Sequence, residues 1–333
     1  MSVRIEPLER RTYDAARLLA EHPPVLRSQN KQVIFNEACP PGCVHGGAIE
    51  YARWRPMTPP QELALTAAAE RAVARAGFYD YEPIKGSDAT TEWHVNFADR
   101  SLFFGHGSSL FAQDEIQAAE HPALGALREA LVAEGLQPVT VDSPGPTPVT
   151  VAGVERRCVV ATAPDASEGR TEGLYGRAFA RASADAVRRA TRAIVPPTTT
   201  NLVAMAAPGG GYGCYTTPQL EQILITAFTG FQAAALESHR LHGEAGHVVV
   251  HTGYWGCGAF GGNRVVMALL QILAARMAGV DRLVLHVGSE DDFRSFDEAR
   301  DRCSALAGSA NSLHGVTERV TALGYAWGES DGI

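Results

Sequence analysis

Hydrophobic and polar positions alternate along most of the chain in a way that predicts strands and helices in turn. Short apolar runs rich in β-branched residues predict strands, and longer segments with apolar residues at helical spacing predict helices. The predicted strands are 92–97, 138–142, 155–161, 201–206, 247–252 and 282–287. The predicted helices are 110–121, 124–134, 171–194, 218–237 and 264–278. Such alternation implies an α/β fold, with a mixed or parallel sheet covered by helices on both faces.

The first part of the chain, up to about residue 80, predicts a mostly helical organisation. Thr58 can cap a helix whose first turn contains Pro59, and Gln61 completes a capping box. Apolar residues then recur at helical spacing until Gly77, which ends the helix. We therefore expect two regions: a helical N-terminal accessory region, 1–85, and an α/β domain, 86–333.

Three glycine-rich loops follow predicted strands, at 105–109, 209–213 and 256–262. In open α/β sheets, ligands bind beyond the carboxyl ends of the strands. Glycine has no side chain to keep a backbone N–H away from a phosphate, and a helix N-terminus adds free N–H groups and partial positive charge. The strand 247–252, the loop 256–262 and the helix that starts near Asn263 therefore predict a site for a phosphorylated ligand.

Two strings of residues make this prediction more specific. Thr252-Gly-Tyr-Trp-Gly-Cys-Gly-Ala-Phe-Gly-Gly262 closely resembles the Thr-Gly-Asn-Trp-Gly-Cys-Gly-Ala-Phe-Gly-Gly segment of the poly(ADP-ribose) glycohydrolases (PARGs), a branch of the macrodomain superfamily. Upstream, Val95-Asn-Phe-Ala-Asp99, Gly105-His-Gly-Ser-Ser109 and Gln113-Asp-Glu115 follow in the order of the family pattern. The resemblance covers roughly residues 90–290. It implies a three-layer α/β/α macrodomain-like sandwich with a mixed sheet and a helical N-terminal extension.

The resemblance also implies roles for particular residues. Glu115 stands where the family has its catalytic glutamate, which would protonate the leaving group at the anomeric carbon of ADP-ribose and then activate water. Asp114 would raise the pKa of Glu115 by like-charge repulsion, or bind the ribose. The implied ligand-binding residues are Asn96, Asp99, Gly105, His106, Gly107, Gln113, Tyr212, Gly256, Cys257, Gly258, Ala259, Phe260 and Gly261.

Some of these residues depart from the family pattern. Asp114 replaces the first glutamate of the pair, His106 interrupts a triple glycine, and Asp99 replaces a ribose-binding asparagine. We expect a glycohydrolase that cleaves at the distal ribose anomeric carbon of an ADP-ribosylated substrate. Two alternatives stay open. One is a non-catalytic ADP-ribose reader module, and the other is a glycohydrolase acting on an ADP-ribosylated nucleobase or an NAD-derived small molecule rather than on polymer.

Composition limits the partners that the protein is expected to bind and its expected location in the cell. The net charge of −8 argues against binding of extended nucleic acid through phosphate contacts, so the expected partner is ADP-ribose or an ADP-ribosylated substrate. The N-terminus lacks an apolar signal core, and the longest apolar run, 265–273, is too short to cross a bilayer. We therefore expect a cytoplasmic protein that does not insert into membranes.

The six cysteines are spread widely and predict no disulfide framework. Cys39-Pro-Pro-Gly-Cys43 is followed by His45, which is a spacing that metal ligands can have. A second ligand pair with zinc-like spacing does not follow, so we expect a reduced turn there, with no metal and no other cofactor.

Overall fold

The computed structural model describes residues 5–60, 68–83, 90–143, 145–243, 246–306 and 312–332. Within these ranges the strands are β1 Glu9–Asp14, β2 Ala48–Arg53, β3 Ala72–Ala76, β4 Thr90–Asn96, β5 Val141–Asp142, β6 Gly145–Pro146, β7 Val149–Val160, β8 Thr191–Ala204, β9 His247–Thr252 and β10 Arg282–Val287. The α-helices are α1 Ala15–Glu21, α2 Gln29–Ala38, α3 Gln113–Glu120, α4 Ala123–Ala133, α5 Ala178–Arg181, α6 Ala184–Ala190, α7 Thr217–His242, α8 Arg264–Met277, α9 Glu290–Leu306 and α10 Leu313–Ala322.

Eight strands form one mixed sheet in the order β1-β2-β7-β8-β4-β9-β10-β3. The half that contains β8, β4, β9, β10 and β3 is parallel, whereas β1, β2 and β7 pair in antiparallel fashion up to β8. Parallel pairing requires crossover connections, and α7, α8 and α9 provide helices between or after the parallel strands. The mixed sheet with flanking helices confirms the predicted α/β fold.

Helices cover both faces of the sheet because side chains alternate along each strand. Trp93 of β4 lies on the face that packs against α7 and donates a hydrogen bond from Nε1 to Ser238 Oγ at 2.8 Å. The largest core cluster lies on this face, between the strands and α7, α8 and α9. A second cluster joins α1 and α4 to β2, β7 and β8, with Tyr51, Leu127 and Leu202 fully buried. Across the described residues, no helix is long and apolar enough to span a membrane.

The prediction of a mostly helical N-terminal region is wrong. β1, β2 and β3 all come from this region, and they lie at the two edges of the main sheet. The predicted helix that ends at Gly77 includes Ala72–Ala76, which is strand β3 and pairs with β10 in parallel. An Ala-rich segment suits a helix locally, but the free edge of β10 offers backbone hydrogen bonds that override this preference. The rest of that helix, 61–67, lies outside the described residues, and the boundary near residue 85 stays a prediction.

The predicted helix 171–194 is also wrong in part. Two short helices, α5 and α6, occupy 178–190, and β8 begins at Thr191. The long pairing of β8 with β7 determines this change, because it extends from Ala204 back to Thr191 with two irregularities in register. Strands β9 and β10 have the predicted bounds, whereas the predicted strand 138–142 is reduced to the two residues of β5.

Candidate functional site

The three predicted glycine-rich loops meet at the carboxyl edge of the parallel strands. They follow β4, β8 and β9, which are neighbours in the sheet. Trp255 Nε1 donates to the carbonyl of Met205 at 2.9 Å, and the Met205 amide donates to Asn96 O at 3.2 Å. Gly210 packs so closely on the loop after β9 that a Cβ there would lie 2.6 Å from the Phe260 carbonyl oxygen. The loops therefore form one continuous surface.

Two acidic side chains are buried in the first turn of α3, beside the first loop. Asp114 and Glu115 are only 6% and 5% exposed. Glu115 Oε2 accepts a hydrogen bond from the Ala112 amide at 2.9 Å. Its other oxygen lies against Gly105, where an added Cβ would come within 2.1 Å of Glu115 Oε1. Gly105 is therefore required for space, and the carboxylate of Glu115 is held in one position by the loop and the helix.

Lys31 of α2, which is not among the residues predicted for the site, provides the counter-charge for this acidic pair. Its ammonium is buried and donates to the carbonyl oxygens of His106 at 3.2 Å and Gly105 at 3.5 Å. Burial lowers the pKa of Lys31 to about 8, and the charges of Glu115 and Asp114 oppose this shift. The sequence around Lys31, Gln29-Asn-Lys-Gln32, is polar and typical of a solvated helix start, so no local pattern marks the lysine as buried.

The same surroundings change the protonation of Asp114. Burial and the charge of Glu115 raise the pKa of Asp114 well above its usual range, and Lys31 partly opposes the shift. Within the described part of the chain, Asp114 Oδ1 has no hydrogen-bond partner. Asp114 can therefore retain a proton near neutral pH, which makes it a hydrogen-bond donor as well as an acceptor.

Several residues predicted to bind ligand instead hold the first loop in place. Gln113 links β4 to α3, since its Oε1 accepts from the Phe97 amide at 2.8 Å and its Nε2 donates to Val95 O at 3.1 Å. Asn96 is fully buried and donates to Gln117 Oε1 at 2.9 Å. Asp99 is exposed and caps the turn through the Ser101 amide at 2.8 Å. These contacts are structural, although Asn96 Oδ1 has no hydrogen-bond partner among the described residues.

His106 also has an anchoring position, and its contact with a ligand stays a prediction. Its ring is buried, with Nδ1 3.0 Å from the Phe103 carbonyl oxygen and Nε2 3.2 Å from a carboxylate oxygen of Glu129 in α4. Burial lowers the pKa of His106. The ring packs against Gly125 of α4. Because a neutral imidazole donates only one hydrogen bond, the contact of Nδ1 with Phe103 leaves Nε2 without a partner among the described residues.

The next glycine of this loop is covered by the segment before α2. Gly107 O accepts hydrogen bonds from the amides of Arg27 and Ser28 at 2.9 and 3.0 Å. A Cβ at Gly107 would lie 2.1 Å from the carbonyl oxygen of Val25, so the position accepts only glycine. The N-terminal region therefore contributes directly to the wall of the candidate site.

The loop after β9 leads into α8 as predicted. Gly256 and Gly261 have φ values of +78° and +62°, which favour glycine. Asn263 caps α8 by accepting from the amides of Val265 and Val266 at 3.1 and 3.3 Å. A cleft of about 350 Å³ lies at this helix start, and Arg264 is among its lining residues. A helix N-terminus with an adjacent guanidinium suits an anionic group.

Cys257 in the same loop is not placed to act as a nucleophile. Burial raises the pKa of its thiol far above the ordinary value, so the thiolate is disfavoured. His251 and His286, on the adjacent strands, contact each other, with 3.1 Å between His251 Nδ1 and His286 Nε2. His251 Nε2 lies 2.8 Å from Glu92 Oε2. The two histidines thus have partners of their own in the sheet.

A C-terminal segment, 326–331, covers two of the glycine-rich loops. The amides of Trp327 and Gly328 donate to Gly213 O and Gly261 O at 2.9 and 2.7 Å. The Trp327 ring lies against Gly211, where a Cβ would be 2.4 Å from its Nε1. The carboxylate of Asp331 lies 2.9 Å from the Cβ position of Gly258. By contrast, Tyr212 is fully exposed and makes the tip of its loop.

Comparison with known proteins agrees with this architecture. A family model described as poly(ADP-ribose) glycohydrolase, macro domain fold, matches residues 150–293. These residues are therefore similar to the macro domain of the PARGs. The matched span contains the loops 209–213 and 256–262 and helices α7 and α8. It begins after Glu115, so the roles of the acidic pair and of the first loop are not carried by this match.

Solved PARG structures are similar to this chain at low identity. The enzyme from Thermomonospora curvata is 16% identical, with 87% of this chain and 85% of that chain covered and a TM-score of 0.37. The same enzyme bound to the inhibitor ADP-HPD gives 15% identity, 85% and 98% coverage and a TM-score of 0.40. The PARG of Deinococcus radiodurans in complex with ADP-ribose gives 12% identity, 90% and 96% coverage and a TM-score of 0.37.

Proposed function

We propose that the protein binds an ADP-ribose moiety at the carboxyl edge of its parallel strands and hydrolyses a glycosidic bond at the distal ribose. The observation that carries this proposal is the buried carboxylate of Glu115, which is held by the Ala112 amide and lies directly against Gly105 of the first loop. The PARG-like match of residues 150–293 supports the choice of ligand, since a PARG of similar fold has been solved with ADP-ribose bound.

Each loop would have a separate task in this reaction. The start of α8, with the loop 256–262 and Arg264, would hold the diphosphate through backbone N–H groups and the guanidinium. Glu115 would protonate the leaving group, stabilise the oxocarbenium-like centre and then deprotonate the attacking water. Asp114, protonated because of its raised pKa, would donate a hydrogen bond to a ribose hydroxyl or to the leaving group. The segment 326–331 would have to move aside for the diphosphate.

A reader module without turnover is the second candidate. The hydrogen bonds of Asn96 with Gln117 and of His106 with the Phe103 carbonyl favour it, because two residues expected at the ligand are used to hold the protein together. A third candidate is cleavage of an ADP-ribosylated nucleobase or an NAD-derived small molecule. It is favoured by the close packing of the Val25 carbonyl against Gly107. This packing restricts the space for a large leaving group beside the first loop.

Two measurements test the proposal in order. Calorimetric titration with ADP-ribose tests binding, and the absence of binding at millimolar ligand would remove the basis of the proposed function. A panel of ADP-ribosylated polymer, protein, nucleobase and small-molecule substrates, with free ADP-ribose as the readout, then tests turnover.

Glu115→Gln should abolish turnover while ADP-ribose affinity stays close to that of the wild type. The amide keeps the size of the side chain but cannot exchange a proton, and loss of general acid–base catalysis costs about 10²–10⁴-fold in rate. Glu70→Gln is the matched control, because Glu70 is exposed just before β3, at the opposite edge of the sheet. Full activity of Glu115→Gln on a substrate of the wild type would show that the assigned mechanism is wrong.

A further inference from the structure

Three metal-ligating side chains converge at the C-terminal end of α2, away from the acidic pair. Cys39 is the C-cap residue of α2, and Cys43 and His45 follow in the loop that leads to β2. One ligand atom from each of the three lies within 4.8 Å of the other two. From the sequence only a reduced turn is expected here, because a second ligand pair with zinc-like spacing does not follow.

The distance between two of these ligands fits one bound ion. In tetrahedral zinc sites, bonds of about 2.3 Å to sulfur and about 2.0 Å to nitrogen place the two ligand atoms roughly 3.5 Å apart. Cys39 Sγ and His45 Nε2 are separated by 3.5 Å. The backbone turn Pro40-Pro-Gly42 returns the chain so that Cys43 meets the same point, and Gly42 has a φ of +85° that permits the turn.

A carboxylate from the sheet lies beside the histidine, on the side away from the two sulfurs. His45 Nδ1 lies 3.2 Å from Glu155 Oε2 of β7. Glu155 is itself held by the Gly46 amide at 3.1 Å and by Arg157 at 2.5 Å. The distance, though not the angle, suits a hydrogen bond, so His45 Nδ1 has no hydrogen-bond partner among the described residues. A proton on Nδ1 beside this carboxylate would leave the Nε2 lone pair for an ion bound by the two sulfurs. Metal-bound histidines commonly have such a carboxylate partner.

We propose that Cys39, Cys43 and His45 form a binding site for Zn²⁺ or a similar borderline-soft divalent cation. Two thiolates and one imidazole exclude the hard ions Mg²⁺ and Ca²⁺, which prefer oxygen ligands. Both cysteines are only partly buried, so solvent can reach a fourth coordination position. Two thiolates neutralise the charge of the ion, and the pair of Arg157 with Glu155 adds no net charge.

The site would stabilise α2 and, through it, the candidate active site. The helix carries Lys31 near its first turn and Cys39 at its end. An ion that joins Cys39 to the loop before β2 fixes the end of the helix against the sheet. The position of the Lys31 ammonium at the His106 carbonyl then depends on the same ion. Metal binding itself does not depend on the proposed glycohydrolase function.

Metal analysis of the full chain purified under reducing conditions tests the proposal. We expect close to one zinc per chain by mass spectrometry of the metal, and competition of Zn²⁺ between the protein and a chromophoric chelator gives the affinity. Cys43→Ser and His45→Gln should each bind Zn²⁺ at least tenfold more weakly. Cys214→Ser, which changes an exposed cysteine elsewhere, should bind like the wild type.

A second set of measurements separates ligation from a general loss of fold. Co²⁺ in place of zinc should give the intense near-ultraviolet absorption of thiolate ligation, and this absorption should be reduced in Cys43→Ser. Glu155→Gln keeps all three ligands and should weaken Zn²⁺ binding by about tenfold or more. Unchanged Zn²⁺ affinity in Cys43→Ser and His45→Gln, or failure of the reduced wild type to take up Zn²⁺ or Co²⁺, would overturn the proposal. A Cys39–Cys43 disulfide that persists under reducing conditions would also overturn the proposal.

Discussion

Replacing Lys31 by Met should destabilise the protein, and the loss should increase as the pH rises. Methionine fills nearly the same volume but has no charge and donates no hydrogen bond. In the wild type the ammonium donates to His106 O at 3.2 Å, and Asp114 and Glu115 both act on it electrostatically. The substitution therefore leaves two buried carboxyl groups without their counter-charge.

The magnitude follows from the contacts that are lost. A buried hydrogen bond to a charged group contributes about 1.5–3 kcal/mol, and the removal of a buried ammonium recovers part of its desolvation cost. We expect a net loss of about 1–3 kcal/mol in the free energy of unfolding near pH 7. Without Lys31, ionisation of Asp114 beside Glu115 becomes less favourable, so the loss should be larger at pH 8 than at pH 5.

Urea unfolding of Lys31→Met, of Asp114→Asn and of the double variant measures this loss in the free energy of unfolding. Asn36→Met is the matched control, because Asn36 is exposed on the same helix, and it should change stability by less than about 0.5 kcal/mol. In the Asp114→Asn background, Lys31→Met should cost less at pH 8, where the Asp114 carboxyl is partly ionised in the wild type, and about the same at pH 5. An equal cost of Lys31→Met in both backgrounds and at both pH values would refute the charge-pairing role.

Three further predictions concern Asp114, the C-terminal segment and the substrate. The folded pKa of Asp114 lies above its unfolded value, so wild-type stability should fall as the pH rises from about 4 towards the folded pKa, and Asp114→Asn should flatten this dependence in urea titrations. Deletion of residues 329–333 removes the carboxylate beside Gly258 and should tighten ADP-ribose binding about fivefold, or about 1 kcal/mol, by calorimetry; weaker binding would show that the segment contributes ligand contacts. A mono-ADP-ribosyl substrate should have a higher kcat/KM than poly(ADP-ribose), because Val25 covers one side of the first loop; a tenfold preference for polymer, about 1.4 kcal/mol, would contradict this.

The central and C-terminal part of the fold was predictable because its patterns are strong and local. β9 and β10 are continuous apolar strands, and α8 has a capping residue, an apolar face and a glycine after its end. The meeting of the three glycine-rich loops was also predictable, since the carboxyl ends of parallel strands lie at one edge. The edge strand β3 was not predictable, because its Ala-rich sequence becomes a strand only through pairing with β10.

The components of the site that the sequence did not reveal all depend on contacts between distant segments. Lys31 lies more than seventy residues before the carbonyl groups that it binds, and a polar helix start gives no indication of burial. The segment 326–331 has no recognisable motif, yet it covers the loops 209–213 and 256–262. The buried position of His106 depends on packing against Gly125 of α4, a contact that no spacing rule predicts.

These distant contacts explain how the first loop can differ from the family pattern and still have a defined shape. A loop of three glycines can adopt several conformations, and each must be restricted when a ligand binds. Here the His106 ring packs against Gly125 of α4, and Gly107 is fixed beneath the segment 24–28. Lys31 binds the carbonyl groups between them. The loop is therefore ordered by the protein before ligand arrives, so changes to its anchors should alter the affinity for ADP-ribose even where they do not touch it.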